Sequence, residues 1–420
     1  MQDVEVFKQL LGLTSPWEVT KVDLKLVEGR VDVYVGHAPG SKFSCPKCGK
    51  EHSVYDHAEE RVWRHLDTFQ YETRLHARIP RIQCAEHGKL QAQVPWAEPK
   101  SRFTLMFEAL AIDVLRQTSV TGATKILRLS WDEAMHLMER AVKRGEARKA
   151  ASQHQTPTKL GVDEKAIAKR HRYATIVVDL DRAVVDAVQE GRKTESLEAY
   201  YEGLADAAKE RVECVAMDMY AGYLTATRNH IPDADDKVVH DRFHVMQNAN
   251  QAVDKVRRDE HTRLSRAGDR TLARTRFLWL RGRENVPEHR EEDFRELRKL
   301  NLQTGKAWLW KEDLRLLWQM GTYERAHHWL SNLLRRAKRM KLGPIIKVAE
   351  MLKSHRSQVL NYYAHPITNA AAEGINSVID RVQRRAAGFR SFKSMRLAIL
   401  FHCGGLGLYP TLAAGTPGKP

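Results

Sequence analysis

Two short turns that contain cysteine constrain the N-terminal part of this chain more than any other feature. The first turn reads C-P-K-C-G at positions 45–49, and the second reads C-A-E-H-G at positions 84–88. A two-residue gap lets both ligands of a turn face one metal ion, while the glycine adopts the turn conformation. A redox-active cysteine pair beside an unrelated Cys-His pair is the alternative. The better-supported prediction is a structural zinc site with one imidazole and three thiolate ligands, formed by Cys45, Cys48, Cys84 and His87.

Alternating apolar and polar residues surround these turns. Val31, Val33 and Val35 alternate with other residue types directly after a Glu-Gly turn at positions 28–29. That period of two around a Glu-Gly turn is typical of a β-hairpin. A second strand-rich stretch leads into the second cysteine turn. We therefore predict a zinc-ribbon domain over residues 1–99.

Helical periodicity replaces the strand pattern from residue 103 onward. Two short helices are predicted to meet at a tight turn near Arg128, where Ser130 and Glu133 match a capping box. The second helix ends in Lys143 and Arg144, which we expect to contact DNA. The pattern predicts a helix-turn-helix DNA-binding domain over residues 100–155. A three-helix packing unit without DNA contacts is the alternative.

The charge of the chain points to an anionic partner. Its formal net charge is +16 and its pI is about 9.6, which favours a polyanion or a membrane surface. No apolar run has the length of a membrane span, and the N-terminus lacks a signal pattern, so we expect a cytoplasmic protein. Five cysteines are too few for a disulfide framework, and Cys214 and Cys403 are expected to be core thiols.

Beyond residue 156 the pattern becomes α/β. Three meandering strands, a helix, a strand, a helix and a further strand are predicted over residues 156–250, which is the order of an RNase-H-like core. In that order the first and fourth strands are parallel neighbours. Asp163 lies on the first strand and Asp218 ends the fourth. We expect their carboxylates to be adjacent and to require a cation, because like charges at close range repel.

A helical segment over residues 251–365 interrupts this core. Lys and Arg outnumber Asp and Glu in it, and tryptophans are interleaved with the basic residues. Basic helices with aromatic side chains can grip DNA and stack on a displaced base. The alternative is that the tryptophans form the core of a helical insertion domain. The residues concerned are Trp279, Trp308, Trp310, Trp318 and Trp329.

A final helix is predicted within residues 366–410, ahead of a tail at 411–420. Its start carries Glu373 among small neutral residues. Taken alone, Glu373 is compatible with a solvated partner of the helix dipole. With Asp163 and Asp218 it completes an acidic triad able to hold two Mg²⁺ ions. A dense set of cations follows, which we expect to hold DNA phosphates: Arg381, Arg384, Arg385, Arg390 and Lys393.

These motifs resemble those of bacterial insertion-sequence transposases of the ISL-three family. The most specific are E-G-I-N at 373–376 and R-R-A-A-G-F-R-S-F at 384–392, and the similarity extends to G-V-D-E at 161–164 and D-R-F-H at 241–244. The zinc ribbon and the helix-turn-helix are also shared. The resemblance implies a DDE triad of Asp163, Asp218 and Glu373 with two catalytic Mg²⁺ ions, which Mn²⁺ can replace. His87 departs from the family pattern, because members often carry cysteine there.

The resemblance also implies a reaction and its partners. Water would cleave DNA at the terminal inverted repeats of the element, and the freed 3′-hydroxyl would then attack target DNA. The expected partners are transposon ends and target DNA, the expected assembly is a homodimer, and the expected location is the bacterial nucleoid. Two other functions remain open: a zinc-ribbon and helix-turn-helix regulator with an inactive core, and an RNase-H-like nuclease without strand transfer.

Overall fold

The computed structural model describes residues 3–152, 156–168, 172–367 and 370–411. It forms two compact units, one of residues 1–153 with 406–420 and one of residues 154–405. Residues 153–155, at the expected boundary between the second and third domains, lie outside the described part, as do residues 412–420 of the expected tail. Across the described ranges, no helix is long and apolar enough to cross a membrane.

The first unit contains a six-stranded sheet that is larger than the expected ribbon. Strands β1 and β2 form the expected antiparallel hairpin, and the inner face of the sheet buries Val33, Trp63 and Leu75. The zinc turns are extensions of this sheet, because one follows β3 and the other begins where β5 ends. The order is β1-β2-β5-β4-β3 with β6 on β5, for β1 (Trp17–Lys25), β2 (Arg30–His37), β3 (Lys42–Ser44), β4 (Glu51–Arg64), β5 (Glu72–Cys84) and β6 (Gly88–Gln91).

Four helices complete the first unit. They are α1 (Asp3–Leu10), α2 (Leu105–Gln117), α3 (Val120–Leu127) and α4 (Trp131–Ala151). The turn between α3 and α4 contains Arg128 in a left-handed conformation, and the expected capping box of Ser130 and Glu133 begins α4. Residues 406–411 belong to this unit, where Arg148 donates hydrogen bonds to the Gly407 and Tyr409 carbonyls at 2.8 and 2.7 Å. The segment expected to close the RNase-H-like core therefore ends in contact with α4.

The second unit is built on a five-stranded mixed sheet with the RNase-H-like order, which confirms the predicted fold class. The order is β11-β10-β7-β8-β9, for β7 (Lys159–Ala168), β8 (Arg172–Asp179), β9 (Val184–Glu190), β10 (Cys214–Met217) and β11 (Val238–His240). Strands β7, β8 and β9 pair antiparallel, whereas β10 is parallel to both β7 and β11. The connecting helices are α5 (Thr194–Glu202), α6 (Asp206–Glu210), α7 (Ala221–His230) and α8 (Ala234–Lys237).

A helical segment follows β11 and has its own core. Its first helix passes through position 250, so the segment begins earlier than the sequence pattern suggested. Its buried residues include Trp279, Trp308, Trp310 and Trp318, which confirms the core interpretation for these four. The helices are α9 (Arg242–Arg266), α10 (Arg276–Leu280), α11 (Glu291–Lys299), α12 (Gln303–Arg315), α13 (Tyr323–Met340), α14 (Gly343–Ser354) and α15 (Arg356–Leu360).

Two helices, rather than one, return the chain to the sheet. They are α16 (Ala370–Arg385) and α17 (Phe392–Cys403). The turn between them places Ala387 and Gly388 at positive φ, which ends α16. Helix α17 packs against β9 and buries Met395, Ile399 and Phe401.

A buried carboxylate joins two helices of the helical segment. Glu260 on α9 is 3% exposed and accepts hydrogen bonds from the Gln303 and Thr304 N–H groups at 2.9 and 2.7 Å. The Thr304 hydroxyl donates a further bond at 2.7 Å. The first N–H groups of a helix have no intrahelical acceptor, so the Glu260 carboxylate caps the N-terminus of α12.

We expect Glu260→Ala to lower the free energy of unfolding by about 2–3 kcal/mol, because it leaves buried donors without an acceptor. Urea unfolding followed by tryptophan fluorescence measures this change. The matched control is Glu292→Ala on α11, whose side chain is 81% exposed and pairs with Arg295. That control should stay within about 0.5 kcal/mol of the parent. Equal effects of the two substitutions would refute the capping role of Glu260.

Candidate functional site

The pairing of two parallel strands brings Asp163 and Asp218 together. In the register of β7 and β10, Val162 lies opposite Met217, and the residue that follows each of them is an aspartate. Both aspartates are half-buried at this edge of the sheet. The predicted adjacency of the two carboxylates therefore follows directly from the strand register.

Hydrogen bonds hold each aspartate in position. One oxygen of Asp163 accepts from the Glu164 N–H at 2.8 Å, and the other accepts from the Asn376 side-chain amide at 2.5 Å. An oxygen of Asp218 accepts from the Tyr220 N–H at 3.0 Å. Burial raises the pKa of Asp218, and the nearby carboxylates of Asp163 and Asp241 raise it further, whereas the Tyr220 N–H and His244 lower it. This electrostatic setting favours a bound cation.

Helix α16 runs alongside β7 and carries the third predicted carboxylate. Besides the bond from Asn376, Asp380 pairs with Lys165 at 2.6 Å and Gln383 donates to the Ala166 carbonyl at 3.3 Å. Residues 373, 376, 380 and 383 share one helical face, since successive residues are about 100° apart. Glu373 is therefore one turn before the residue that contacts Asp163, and its side chain is exposed.

The three carboxylates do not converge on a single point. Within the described ranges, only the cysteine and histidine cluster brings three or more ligand atoms within 4.8 Å of one another. A site for one small ion requires such convergence, whereas carboxylates around two ions about 4 Å apart are spread more widely. Asp163, Asp218 and Glu373 therefore do not form a site for a single ion.

Residues 240–244 include two charged or titratable side chains that act on Asp218, namely Asp241 and His244. Asp241 is buried and caps α9 by accepting from the Phe243 N–H at 3.0 Å. His244 lies 3.9 Å from the Asp241 carboxylate. His240 is buried against His355, with 3.1 Å between ring nitrogens, and burial lowers the pKa of His240 to about 4. His240 is thus a neutral packing residue, while Asp241 and His244 act on the charge of Asp218.

The four predicted zinc ligands form a compact cluster. The Cys48 and Cys84 sulfurs are 3.8 Å apart, and His87 Nδ1 lies 3.5 Å from Cys84 Sγ and 3.9 Å from Cys45 Sγ. A tetrahedral ion with Zn–S bonds of about 2.3 Å needs sulfurs about 3.8 Å apart. Gly49 and Gly88 have φ of 75° and 70°, as the two turns require. The cluster therefore fits Zn²⁺.

The predicted DNA-binding cations differ in how available they are. Lys143 is exposed. Arg144, by contrast, forms ion pairs with Glu98 and Glu108, both at 2.7 Å, and donates to the Leu408 carbonyl, and its side chain is only 9% exposed. Its guanidinium serves the packing of α4 and is not available to a phosphate. The predicted DNA-binding cations on α16 and directly after it are exposed: Arg381, Arg384, Arg385, Arg390 and Lys393.

Sequence reasoning did not assign two residues of this site. Asn376 directly contacts Asp163, and Asp241 contributes to the field at Asp218. Both lie in motifs that the sequence analysis had singled out, E-G-I-N and D-R-F-H. The missing signal was the helical spacing of three residues from Glu373 to Asn376, which places both residues on one face of α16.

We expect the purified protein to carry one zinc ion per chain, and both Cys48→Ser and Cys84→Ser to lose it, because each removes a thiolate ligand. Elemental analysis of the purified protein measures zinc content, and thermal unfolding measures the accompanying loss of stability. Cys214→Ser is the matched control: Cys214 is buried, outside the cluster, and burial raises its pKa to about 11. Zinc retained by Cys84→Ser would contradict the assignment.

Three family models match successive parts of the chain. A model described as a zinc-finger of transposase IS204/IS1001/IS1096/IS1165 matches residues 41–87. A model for the helix-turn-helix domain of transposase family ISL3 matches residues 92–142. The ISL3 model described as a transposase matches residues 160–399. The predicted zinc ribbon, helix-turn-helix and catalytic core are thereby confirmed as domains of one family.

Curated relatives agree with these matches over nearly the full length. The chain is 28% identical over 355 residues to the transposase for insertion sequence element IS1001 of Bordetella parapertussis, covering 82% of this chain and 85% of that protein. It is 25% identical over 426 residues to the transposase for insertion sequence element IS1557 of Mycobacterium tuberculosis, covering 93% of each. With its catalytic-domain match extending over more than half of the chain, this protein belongs to the ISL3 family of transposases.

Proposed function

We propose that this transposase cleaves DNA at the terminal inverted repeats of an insertion sequence and joins the freed 3′ end to target DNA, using Asp163, Asp218 and Glu373. The supporting observation is the parallel pairing of β7 with β10, which makes two aspartates neighbours, together with the alignment of α16 along β7. Membership of the family makes DNA the partner, and the acidic cluster supplies a site for the chemistry.

The donor atoms of this cluster fit Mg²⁺. All three side chains offer carboxylate oxygens, the ligand type that Mg²⁺ prefers, and both aspartates are half-buried. Burial, with a smaller contribution from the Asp163 and Asp241 carboxylates, raises the pKa of Asp218, and bound cations would offset both effects by stabilising the charged form. Two bound Mg²⁺ ions, for which Mn²⁺ can substitute, would supply Lewis acidity toward the attacking and leaving oxygens. Asp163, Asp218 and Glu373 would be the residues that hold these ions.

Hydrogen bonds within the chain orient the Asp163 and Asp218 carboxylates before ions bind. The Asn376 amide and the Glu164 N–H fix the rotation of the Asp163 carboxylate, and the Tyr220 N–H fixes that of Asp218. Each oxygen keeps a lone pair that is not used by these bonds. Carboxylates fixed in this way do not need to reorganise when the ions and the DNA bind.

The two chemical steps would use the same site in succession. In the first, water attacks the scissile phosphorus, a new P–O bond forms, and the bond to the 3′ oxygen breaks. In the second, that 3′-hydroxyl attacks a phosphorus of target DNA and displaces another 3′ oxygen. Exposed cations on and after α16 would hold the phosphates in line for both attacks: Arg381, Arg384, Arg385, Arg390 and Lys393. Lys143 would bind phosphates from α4.

A homodimer is part of this proposal. Both ends of an element must be cut in a coordinated way before insertion, which requires two active sites in one complex. Each chain supplies one acidic cluster and one set of DNA-binding domains. Two copies, each bound to one inverted repeat, meet this requirement with the simplest closed symmetry.

We expect Asp163→Asn, Asp218→Asn and Glu373→Gln each to lower strand cleavage at least about 100-fold in Mg²⁺, because each removes a charged metal ligand. DNA binding should be retained, since the helix-turn-helix lies elsewhere in the sequence. Cleavage and transfer of labelled duplexes that carry the element's ends, together with gel-shift binding, measure both properties. Asp206→Asn, whose side chain is 96% exposed, is the matched control and should cleave normally.

The same experiment separates the competing functions. Retained cleavage in any triad variant would remove that residue from the proposed site. Specific duplex binding by the parent protein without cleavage in Mg²⁺ or Mn²⁺ would favour a DNA-binding regulator. Cleavage without joining to a target plasmid would favour a nuclease that lacks strand transfer.

We expect Asn376→Ala to raise the Mg²⁺ concentration needed for half-maximal cleavage by about 10- to 100-fold, because Asp163 loses the amide that orients it. A Mg²⁺ titration of the cleavage rate measures this shift. Asn376→Asp, which replaces the donor by a carboxylate, should be at least as impaired. Ser377→Ala, one residue along α16 on an exposed position, is the control. A lower maximal rate at an unchanged Mg²⁺ midpoint would contradict this positioning role.

A further inference from the structure

Helix α13 in the helical segment has two chemically different faces. Its apolar face buries Ala326, Leu330, Leu333 and Ala337 in the core of the segment. The other face lies within about 120° of the helix circumference, as the rotation of 100° per residue requires. We call this face the α13 stripe, and it consists of Arg325, His328, Trp329, Asn332, Arg335, Arg336 and Arg339.

A cavity of about 390 Å³ opens on the α13 stripe. Its lining consists of Leu333 and five stripe residues: Trp329, Asn332, Arg335, Arg336 and Arg339. A cavity of this size lies within the range of small-molecule sites. The surface therefore combines a concave shape with three guanidinium groups and one indole.

The charges in this cavity are only partly compensated. Arg336 pairs with the Asp313 carboxylate at 2.5 Å. Arg335, in contrast, donates to the neutral amide of Asn332, and its side chain is exposed, as is that of Arg339. The stripe thus presents positive charge to solvent, which favours an anionic ligand.

Trp329 differs from the other tryptophans of the helical segment. Trp279, Trp308, Trp310 and Trp318 are buried in its core. Trp329 packs against this core but is only partly buried, and its indole N–H donates to the Asp313 carbonyl at 2.9 Å. That bond fixes the ring in the wall of the cavity, where it can act as a stacking platform.

Guanidinium groups and an indole select a nucleotide. The guanidinium groups match phosphate oxygens, and an aromatic ring stacks on any nucleobase. Paired bases inside a duplex have no free face to offer to a ring in a cavity. We propose that the α13 stripe binds an unpaired segment of DNA strand, with phosphates on Arg335 and Arg339 and one base against Trp329. This inference rests on the proposed function, in which cut DNA ends are substrates.

The double variant Arg335→Gln/Arg339→Gln tests the phosphate contacts. Fluorescence anisotropy of a labelled single-stranded oligonucleotide is measured with the full chain at several salt concentrations. We expect weaker binding and a salt slope reduced by about 1.4, because each lost phosphate contact on a single strand removes about 0.7. The control Arg295→Gln/Lys299→Gln removes two exposed cations from α11, each of which pairs with a glutamate, and should keep the parent slope. Equal slopes for the two double variants would overturn the proposal.

Substitutions of Trp329 test the stacking platform. Trp329→Leu should weaken oligonucleotide binding about 10-fold, because it removes the aromatic face. Trp329→Phe loses the same hydrogen bond to Asp313 but keeps an aromatic ring, so it should bind within about threefold of the parent. If both variants bind equally weakly, Trp329 has a structural role and the platform is refuted. A larger loss of duplex binding than of single-strand binding in these variants would also contradict an unpaired ligand.

Failure of this inference can be distinguished from failure of the catalytic proposal. Asp163→Asn should bind the oligonucleotide like the parent protein while failing to cleave. If the α13 stripe variants bind like the parent and the triad variants lose cleavage, this inference fails and the proposed function stands. If the triad variants cleave normally, the proposed catalytic site fails, whatever the stripe variants do.

Discussion

The parallel pairing of β7 with β10 is the constraint on which the catalytic unit depends. Its register places Val162 opposite Met217, and the two following residues are Asp163 and Asp218. A slip by one residue would turn one of these side chains to the opposite face of the sheet. The apolar side chains of both strands prevent such a slip, because Leu160, Val162, Val215 and Met217 are all buried in one core. The burial of apolar side chains that stabilises the sheet therefore also places the two aspartates side by side.

Helix α16 adds a third carboxylate only because the preceding segment folds around its own core. About 130 residues separate β11 from α16, and if they were loosely packed, the position of Glu373 would be undefined. Buried polar groups make this segment specific: Glu260 caps α12, and the buried Lys311 donates to three carbonyls at the end of α10. Polar contacts along β7 then set the position of α16, through Asn376, Asp380 and Gln383.

Local patterns predicted much of this architecture, whereas contacts between distant residues escaped them. The zinc turns, the capping box at Ser130 and the strand order each depend on short spacings or on β and α periodicity, and they were predictable. The role of Arg144 was not, because its partners Glu98 and Glu108 lie on other elements. The pair was expected at a helix end, but α4 continues to Ala151, and a Lys-Arg pair looks the same in sequence whether it is exposed or held in ion pairs. The sequence likewise does not show which tryptophans are in the core, because only their burial in the folded protein distinguishes Trp329 from the others.

Net charge alone therefore says little about where such a protein binds DNA. Many cations of this chain form ion pairs within the folded protein: Arg144 pairs with Glu98 and Glu108, and Arg257 pairs with Asp254 on α9. What matters for a polyanion is the cation that is exposed and has no acid beside it, since a paired guanidinium must give up its partner before it can bind phosphate. The α13 stripe meets this condition at Arg335, whose partner is a neutral amide. The unequal pairing of its arginines, more than the excess of basic residues in the segment, makes this helix face the place where a DNA strand would bind.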